Sequence, residues 1–160
     1  MLNNFPISKD ELYNFISDPG EGSYANKPVY EANPERPEFF ELVTKKGDLS
    51  YRDSYTGHFR SRGMEVVRFK DKPIWASNYG GGMTDGHYDL ANETFDFLKK
   101  AFVQKDKSFQ SMRGPSELKE VDWLYTYKQA GNVEEFSGTE EIYHKGVLVF
   151  YHKISGGIIE

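Results

Sequence analysis

Two stretches of this chain lie over one another without a gap: GMEVVRFKDKPIWASNYGGGM (63–83) and GTEEIYHKGVLVFYHKISGGI (138–158). Gly63 meets Gly138, Glu65 meets Glu140, Val67 meets Ile142 and Lys70 meets Lys145. Further along, Ile74 meets Val149, Trp75 meets Phe150, and Gly81-Gly82 meet Gly156-Gly157. An internal repeat constrains a fold more than any short motif, because each copy is one supersecondary unit and the copies bury their apolar faces together. The unit here has the alternation of a β-hairpin. A tyrosine-rich strand precedes each copy, LSYRDSYTG in the first half and WLYTYKQAG in the second.

A helix is expected ahead of each set of strands. Ser8 and Glu11 have capping-box spacing, and Leu12, Phe15 and Ile16 then form a short apolar face ending near Pro19. Asn92 is expected to cap the second helix, whose stripe comprises Phe95, Leu98 and Phe102 with neighbouring Ala101 and Val103. Between the first helix and its strands, the three prolines of YANKPVYEANPERPE mark an irregular loop. EFFELV then supplies an extra strand that turns at Lys46-Gly47. The pattern predicts one α+β domain over residues 1–160, with pseudo-repeats at about 8–83 and 92–160. Each repeat is a helix followed by three or four strands, and the two share an antiparallel sheet or split barrel with helices on one face.

Composition removes several function classes. The net charge of −5 and a scatter of lysines among acids argue against a nucleic-acid surface. With no cysteine there is no disulfide framework, no thiolate nucleophile and no cysteine metal site. His58, His87, His144 and His152 lack HxxxH or HxH spacing, and TDGHYD (84–89) lacks the further ligands of a calcium loop, so neither a metal nor a cofactor is expected. No GxSxG elbow is present. MLNNFPISKDELY has no basic segment before an apolar run, and no window approaches a membrane span. A cytoplasmic protein without a membrane partner, monomeric or homodimeric, is expected.

Counting along the strands assigns the faces. Leu49, Tyr51, Asp53 and Tyr55 share one face of the first tyrosine-rich strand. Glu65, Val67 and Phe69 share a face of the next, as do Trp75, Ser77 and Tyr79 of the third. Glu140 and Ile142, then Phe150, His152 and Ile154, are their counterparts. The most apolar faces thus carry Asp53, Glu65, Ser77, Glu140 and His152 where a packed core would take Val or Leu. An ionised carboxylate is held there by an internal partner or because it lines a cavity that ligand or water enters. Tyr51, Tyr55, Trp75, Tyr79 and Tyr127 would provide aromatic walls. Tyr79-Gly80-Gly81-Gly82 would bring backbone amides to the mouth, without the lysine of a phosphate-binding loop. Arg113, ahead of a Gly-Pro turn, is the best candidate to pair with an interior acid or an anionic ligand.

In GDLSYRDSY, GMEVVRFKDKPIWASNYGG, RGP and FSGTEEIYHKGVLVFYHKISGG the chain resembles a small prokaryotic domain family of unknown function, from about residue 8 to the C-terminus. Members of that family are sometimes appended to helix-turn-helix regulators. The resemblance implies a stand-alone or regulator-linked module of the sensing kind and carries no reaction or ligand with it. This chain has no helix-turn-helix segment, since its single N-terminal helix runs into the Pro-rich loop.

The leading expectation is a small-molecule-binding module using Tyr51, Asp53, Tyr55, Glu65, Trp75, Tyr79, Arg113, Glu140 and His152. Interior acids and an acidic exterior favour a cationic or polyhydroxylated ligand stacked on aromatic rings. One alternative is an enzyme with Asp53 or Glu65 as general base and Arg113 holding an anion, or with Glu65 and Glu140 as an acid–base pair. Another is an interaction module that uses an exposed edge strand or the tyrosine-rich face.

Overall fold

A computed structural model describes residues 5–18, 20, 23–104 and 106–159. The strands are β1 (Phe40–Lys46), β2 (Leu49–Thr56), β3 (Arg60–Phe69), β4 (Lys72–Met83), β5 (Glu117–Glu120), β6 (Trp123–Asn132), β7 (Glu135–His144) and β8 (Val147–Ile158). Helix α1 (Lys9–Ile16) precedes the first four strands and α2 (Ala91–Phe102) separates the two sets. All eight strands form one antiparallel sheet in the order β1-β2-β3-β4-β8-β7-β6-β5, so this is the α+β architecture with an antiparallel sheet. Among the described residues, no helix is long and apolar enough to cross a membrane.

The strand order reads the same outward from the central β4–β8 pair. In that pair Tyr79 faces Ile154, flanked by Ser77 opposite Gly156 and Gly81 opposite His152. Register shifts fall between Val67 and Arg68 in the β3–β4 ladder and between Ile142 and Tyr143 in the β7–β8 ladder. The β3–β4 and β7–β8 hairpins turn through Lys70-Asp71 and Lys145-Gly146, all four with positive φ, the backbone that continues the right-handed twist of the strands. Lys70 N donates to Asp48 O and Lys145 N to Asp122 O, which ties each hairpin tip to the preceding turn.

One face of the sheet carries the core. Val67, Trp75, Met83, Tyr125, Ile142 and Phe150 are buried there, and α2 covers them with Phe97, Leu98 and Ala101 while α1 contributes Leu12. Ser8 caps α1 as expected, accepting from Glu11 N at 3.1 Å. Pro19, the expected stop, lies outside the described residues. Asn92 is not the cap of α2. A 3-10 turn, Tyr88–Leu90, runs straight into the helix and Ala91 N bonds Tyr88 O, so no side-chain cap is needed. Val103 leaves the apolar stripe, closing the helix as its C-cap with 43% of its surface exposed.

Gly80, Gly81 and Gly82 are not a loop but part of β4, and of the three Gly82 lines the cavity described below. They are paired with β3 on one side and β8 on the other. Close approach explains the glycine at 81, where a Cβ would lie 2.0 Å from Tyr151 O. The Pro-rich segment is tied to the edge strand. Tyr30 bridges Leu42, and the buried Glu41 accepts from Glu35 N at 3.0 Å and Ser54 Oγ at 2.9 Å while pairing with Arg52. The opposite edge, β5, is four residues long and three of them are charged. Both edges are thereby made poor templates for further pairing.

The β4–β8 junction leaves no room for a side chain at Gly156, where a Cβ would meet Ala76 O and Ser77 Cβ at 2.5 Å. Gly156→Ala is therefore expected to lose about 1–3 kcal/mol in urea unfolding. Gly20→Ala, with nothing within 4 Å of the new methyl, stays within about 0.5 kcal/mol of wild type.

Candidate functional site

After α2 the chain returns over the sheet, and the segment around Met112–Gly114 is bolted down by its neighbours. Met112 N donates to Gln129 Oε1 at 2.9 Å, Gln129 Nε2 donates to Gln110 O at 3.0 Å, and Gly114 N donates to Tyr125 OH at 3.2 Å. These bonds aim the Arg113 side chain, only 8% exposed, into the covered face. Its Nη1 lies 3.3 Å from Glu65 Oε1 and its Nη2 lies 2.9 Å from Glu140 Oε1. The guanidinium packs over the Phe102 ring at 4.6 Å and the Tyr79 ring at 5.1 Å.

Each glutamate has its own donors. Glu65 accepts from Tyr51 OH at 2.8 Å and from Ser77 Oγ. Glu140 accepts from Tyr125 OH at 3.0 Å and contacts His152 Nδ1 at 3.0 Å. The other ring nitrogen, His152 Nε2, lies 3.2 Å from Ser61 Oγ. Asp53, directly across the ladder from Glu65, accepts from Tyr79 OH at 2.8 Å. The arrangement holds three buried carboxylates and, bonded to two of them, one arginine.

Protonation follows from that imbalance. Burial works to raise the Glu140 pKa, but the Arg113 charge and the His152 hydrogen bond override it and hold it at about 2. Burial, then repulsion from Glu65, pushes Asp53 up to about 7 against the Tyr79 hydrogen bond and the more distant Arg113. Burial also depresses His152 below the usual imidazole range, despite Glu140. Burial and the adjacent carboxylates raise the phenols of Tyr51, Tyr79 and Tyr125, which stay neutral donors. Because the Asp53 pKa is raised on folding, its stabilising contribution is full below the unfolded value near 4 and is lost as pH rises through about 7.

A cavity of about 620 Å³ opens beside this cluster, between the sheet and the segments that cover it. Of the residues expected from sequence, Tyr51, Asp53, Tyr55, Glu65, Tyr79, Arg113 and His152 line it. Glu140 does not, being fully buried behind Arg113 and His152. Trp75 also lies elsewhere, stacked on Phe136 with its Nε1 donating to Val133 O at 2.9 Å. Tyr127 turns its hydroxyl to Gln129 instead of the cavity. Outside the expected site residues the lining adds the rings of Tyr24, Phe59, Phe95, Phe102 and Phe150, of which strand counting had placed only Phe150 on this face, and also Lys45, Lys46 and Lys99. Phe95 and Phe102 were legible as helix-stripe residues, but no sequence signal separates a ring that seals a core from one that walls a cavity. Among the described residues, no group of His, Asp and Glu side chains is placed to hold a metal ion.

Residues 53–159 match a family model described as Domain of unknown function (DUF5680), a span that starts at Asp53 in β2 and takes in β3 to β8. No curated protein and no solved structure matches the chain.

Removing one member of a buried ion pair leaves an uncompensated charge, at about 3–5 kcal/mol. Arg113→Met is expected to lose that much stability at pH 7 in denaturant unfolding. With Arg113 gone Glu140 loses the charge that lowers its pKa and binds a proton more readily in the folded state, so the deficit should narrow as pH falls from 7 to 5. A deficit that is small and independent of pH would show that the arginine is not what compensates them.

Proposed function

We propose a small-molecule-binding, sensor-like role for this chain, which belongs to the family described as Domain of unknown function (DUF5680). The observation that carries the reading is Asp53. It sits 7% exposed in the wall of an aromatic cavity, bonded to Tyr79, while both ion pairs of Arg113 go to Glu65 and Glu140. A carboxyl group in that position is an unfilled half of an ion pair. The ligand that fits is a cation with an apolar or aromatic body, its ammonium on Asp53 and its body against Tyr55, Phe59 and Phe102. The cavity volume, about 620 Å³, is in the range of drug-sized ligands.

A duplicated origin fits the same picture. The palindromic strand order, the matched register shifts and the matched hairpin tips support two pseudo-repeats sharing one arginine. Tyr51 serves Glu65 as Tyr125 serves Glu140. The departures from symmetry are concentrated at the cavity. Asp53 stands opposite Glu65 where Tyr127 stands opposite Glu140, and Ser77 bonds Glu65 where His152 bonds Glu140. An interaction module is disfavoured by the guarded edges of the sheet. A second reading, Asp53 as a general base, draws support from its proton affinity, since a pKa of about 7 is matched to neutral pH. In that enzyme Arg113 would have no free charge for an anion. A cytoplasmic setting remains part of the proposal.

Thermal-shift titration with arylalkylamines and with neutral alcohols of the same shape tests the binding reading. The amine is expected to raise the melting temperature by several degrees and the alcohol by far less. Binding must deprotonate Asp53, so amine affinity should rise from pH 6 to pH 8. Asp53→Asn should weaken the amine about tenfold or more while leaving the alcohol unchanged. Equal responses to amine and alcohol, or none to either, would sink the proposal.

A further inference from the structure

The second half of the cluster contains a hydrogen-bonded series that a core would not require. His152 lies between Glu140 Oε1, 3.0 Å from its Nδ1, and Ser61 Oγ, 3.2 Å from its Nε2. An ionised carboxylate has only acceptors, so Nδ1 carries the imidazole proton. Nε2 is then a bare lone pair, and the Ser61 hydroxyl is the donor to it. We propose that Ser61 is a nucleophile for acyl transfer, with His152 as its general base and Glu140 as the residue that positions His152.

Three features of the fold support this assignment. Ser61 and His152 both line the cavity, whereas Glu140 is fully buried behind the ring, so the series runs from protein interior to ligand space. Ser61 is on β3 and His152 on β8, with Gly81 of β4 between them in register. Ser61 Oγ and His152 Nε2, two strands apart, meet across this residue at 3.2 Å. Glu140 is itself fixed by Arg113 and Tyr125, which leaves His152 with one orientation. The protonation states agree with the geometry: Glu140 is ionised and His152 is held neutral by burial. The matching row in the first half places Phe136 where Ser61 stands and Ser77 where His152 stands, so the series occurs once. The expected lack of a GxSxG elbow concerned one scaffold, whereas the chemistry asks for donors and acceptors in the right places.

The substrate class is an ester or thioester whose acyl group is apolar. Phe150 lies 4.6 Å from the His152 ring and Phe95 lies 6.2 Å from Phe150, which provides an aromatic seat beside the nucleophile. In the first step Ser61 Oγ bonds to the acyl carbon and its proton passes to His152 Nε2. The bond to the leaving oxygen or sulfur breaks and that atom takes the proton. Water then attacks the acyl-serine, gives its proton to His152, and the restored proton on Oγ releases the carboxylic acid. The net reaction is ester plus water to acid plus alcohol, or thioester plus water to acid plus thiol.

This inference rests on the proposed cavity being open to small molecules, but it uses Ser61 in place of Asp53, so the two can fail separately. The test treats the full chain with an alkyl fluorophosphonate and with p-nitrophenyl phenylacetate, followed by intact mass and peptide mapping. One adduct on Ser61 is expected, absent from Ser61→Ala and formed about 100-fold more slowly in His152→Gln. Should His152→Gln not fold, Ser61→Cys replaces it. The chain has no cysteine, so this variant carries a single thiol. Iodoacetamide should then alkylate it at pH 6.5 about tenfold or more faster than a free model thiol. No Ser61 adduct, a His152→Gln variant that labels like wild type, or a thiol of ordinary reactivity would each overturn the inference. Amine stabilisation without a Ser61 adduct would overturn it and leave the binding reading standing. A Ser61 adduct without amine stabilisation would do the reverse.

Discussion

The Arg113 guanidinium, held between Glu65 and Glu140, is the interaction on which the interior depends. Two carboxylates placed near one another in an apolar face would repel and would each lose several kcal/mol of hydration. A single planar group with two forks serves both, in a way that a lysine ammonium would not. The loop that carries Arg113 is fixed by Gln129 and Tyr125, both on β6, and the guanidinium rests on Phe102 of α2. One side chain thus couples the helix, the returning loop and the strands on either side of the sheet's centre.

That same solution leaves a remainder. Arg113 supplies one positive charge to a group of three acids, and the deficit is felt at the acid furthest from it in bonding terms, Asp53. A chain selected for stability alone would place Asn or Leu there. Keeping an acid with a raised pKa in a cavity wall sacrifices stability at neutral pH for a group that a cationic ligand or a proton can satisfy. On the other flank, the Glu140–His152–Ser61 series converts a structural carboxylate into a means of orienting an imidazole. Both flanks open on one cavity.

Much of this was legible in the sequence because strands have a strict period of two. Counting alone put Asp53, Glu65, Ser77, Glu140 and His152 on one face, and the structure places them there. Arg113 was legible from its place before a Gly-Pro turn as a partner for an interior acid, although not as a partner for two. Trp75 illustrates the limit of the method. It shares the face, but the face is longer than the cavity, and Trp75 lies where Phe136 stacks on it. Ser61 was missed because a serine near a strand start has no local signal. Its meaning comes from His152, 91 positions away in the chain. The error at Asn92 was of another kind, since a 3-10 turn that leads into a helix removes the need for a cap.

One arginine compensates two of the three acids and leaves the third to bind a proton. Following the side-chain carboxyl carbons by NMR across a pH titration reads this directly. Asp53 is expected to titrate near pH 7 while Glu140 stays ionised down to about pH 2. An Asp53 midpoint in the ordinary range near 4 would show that Arg113 leaves no charge deficit at Asp53.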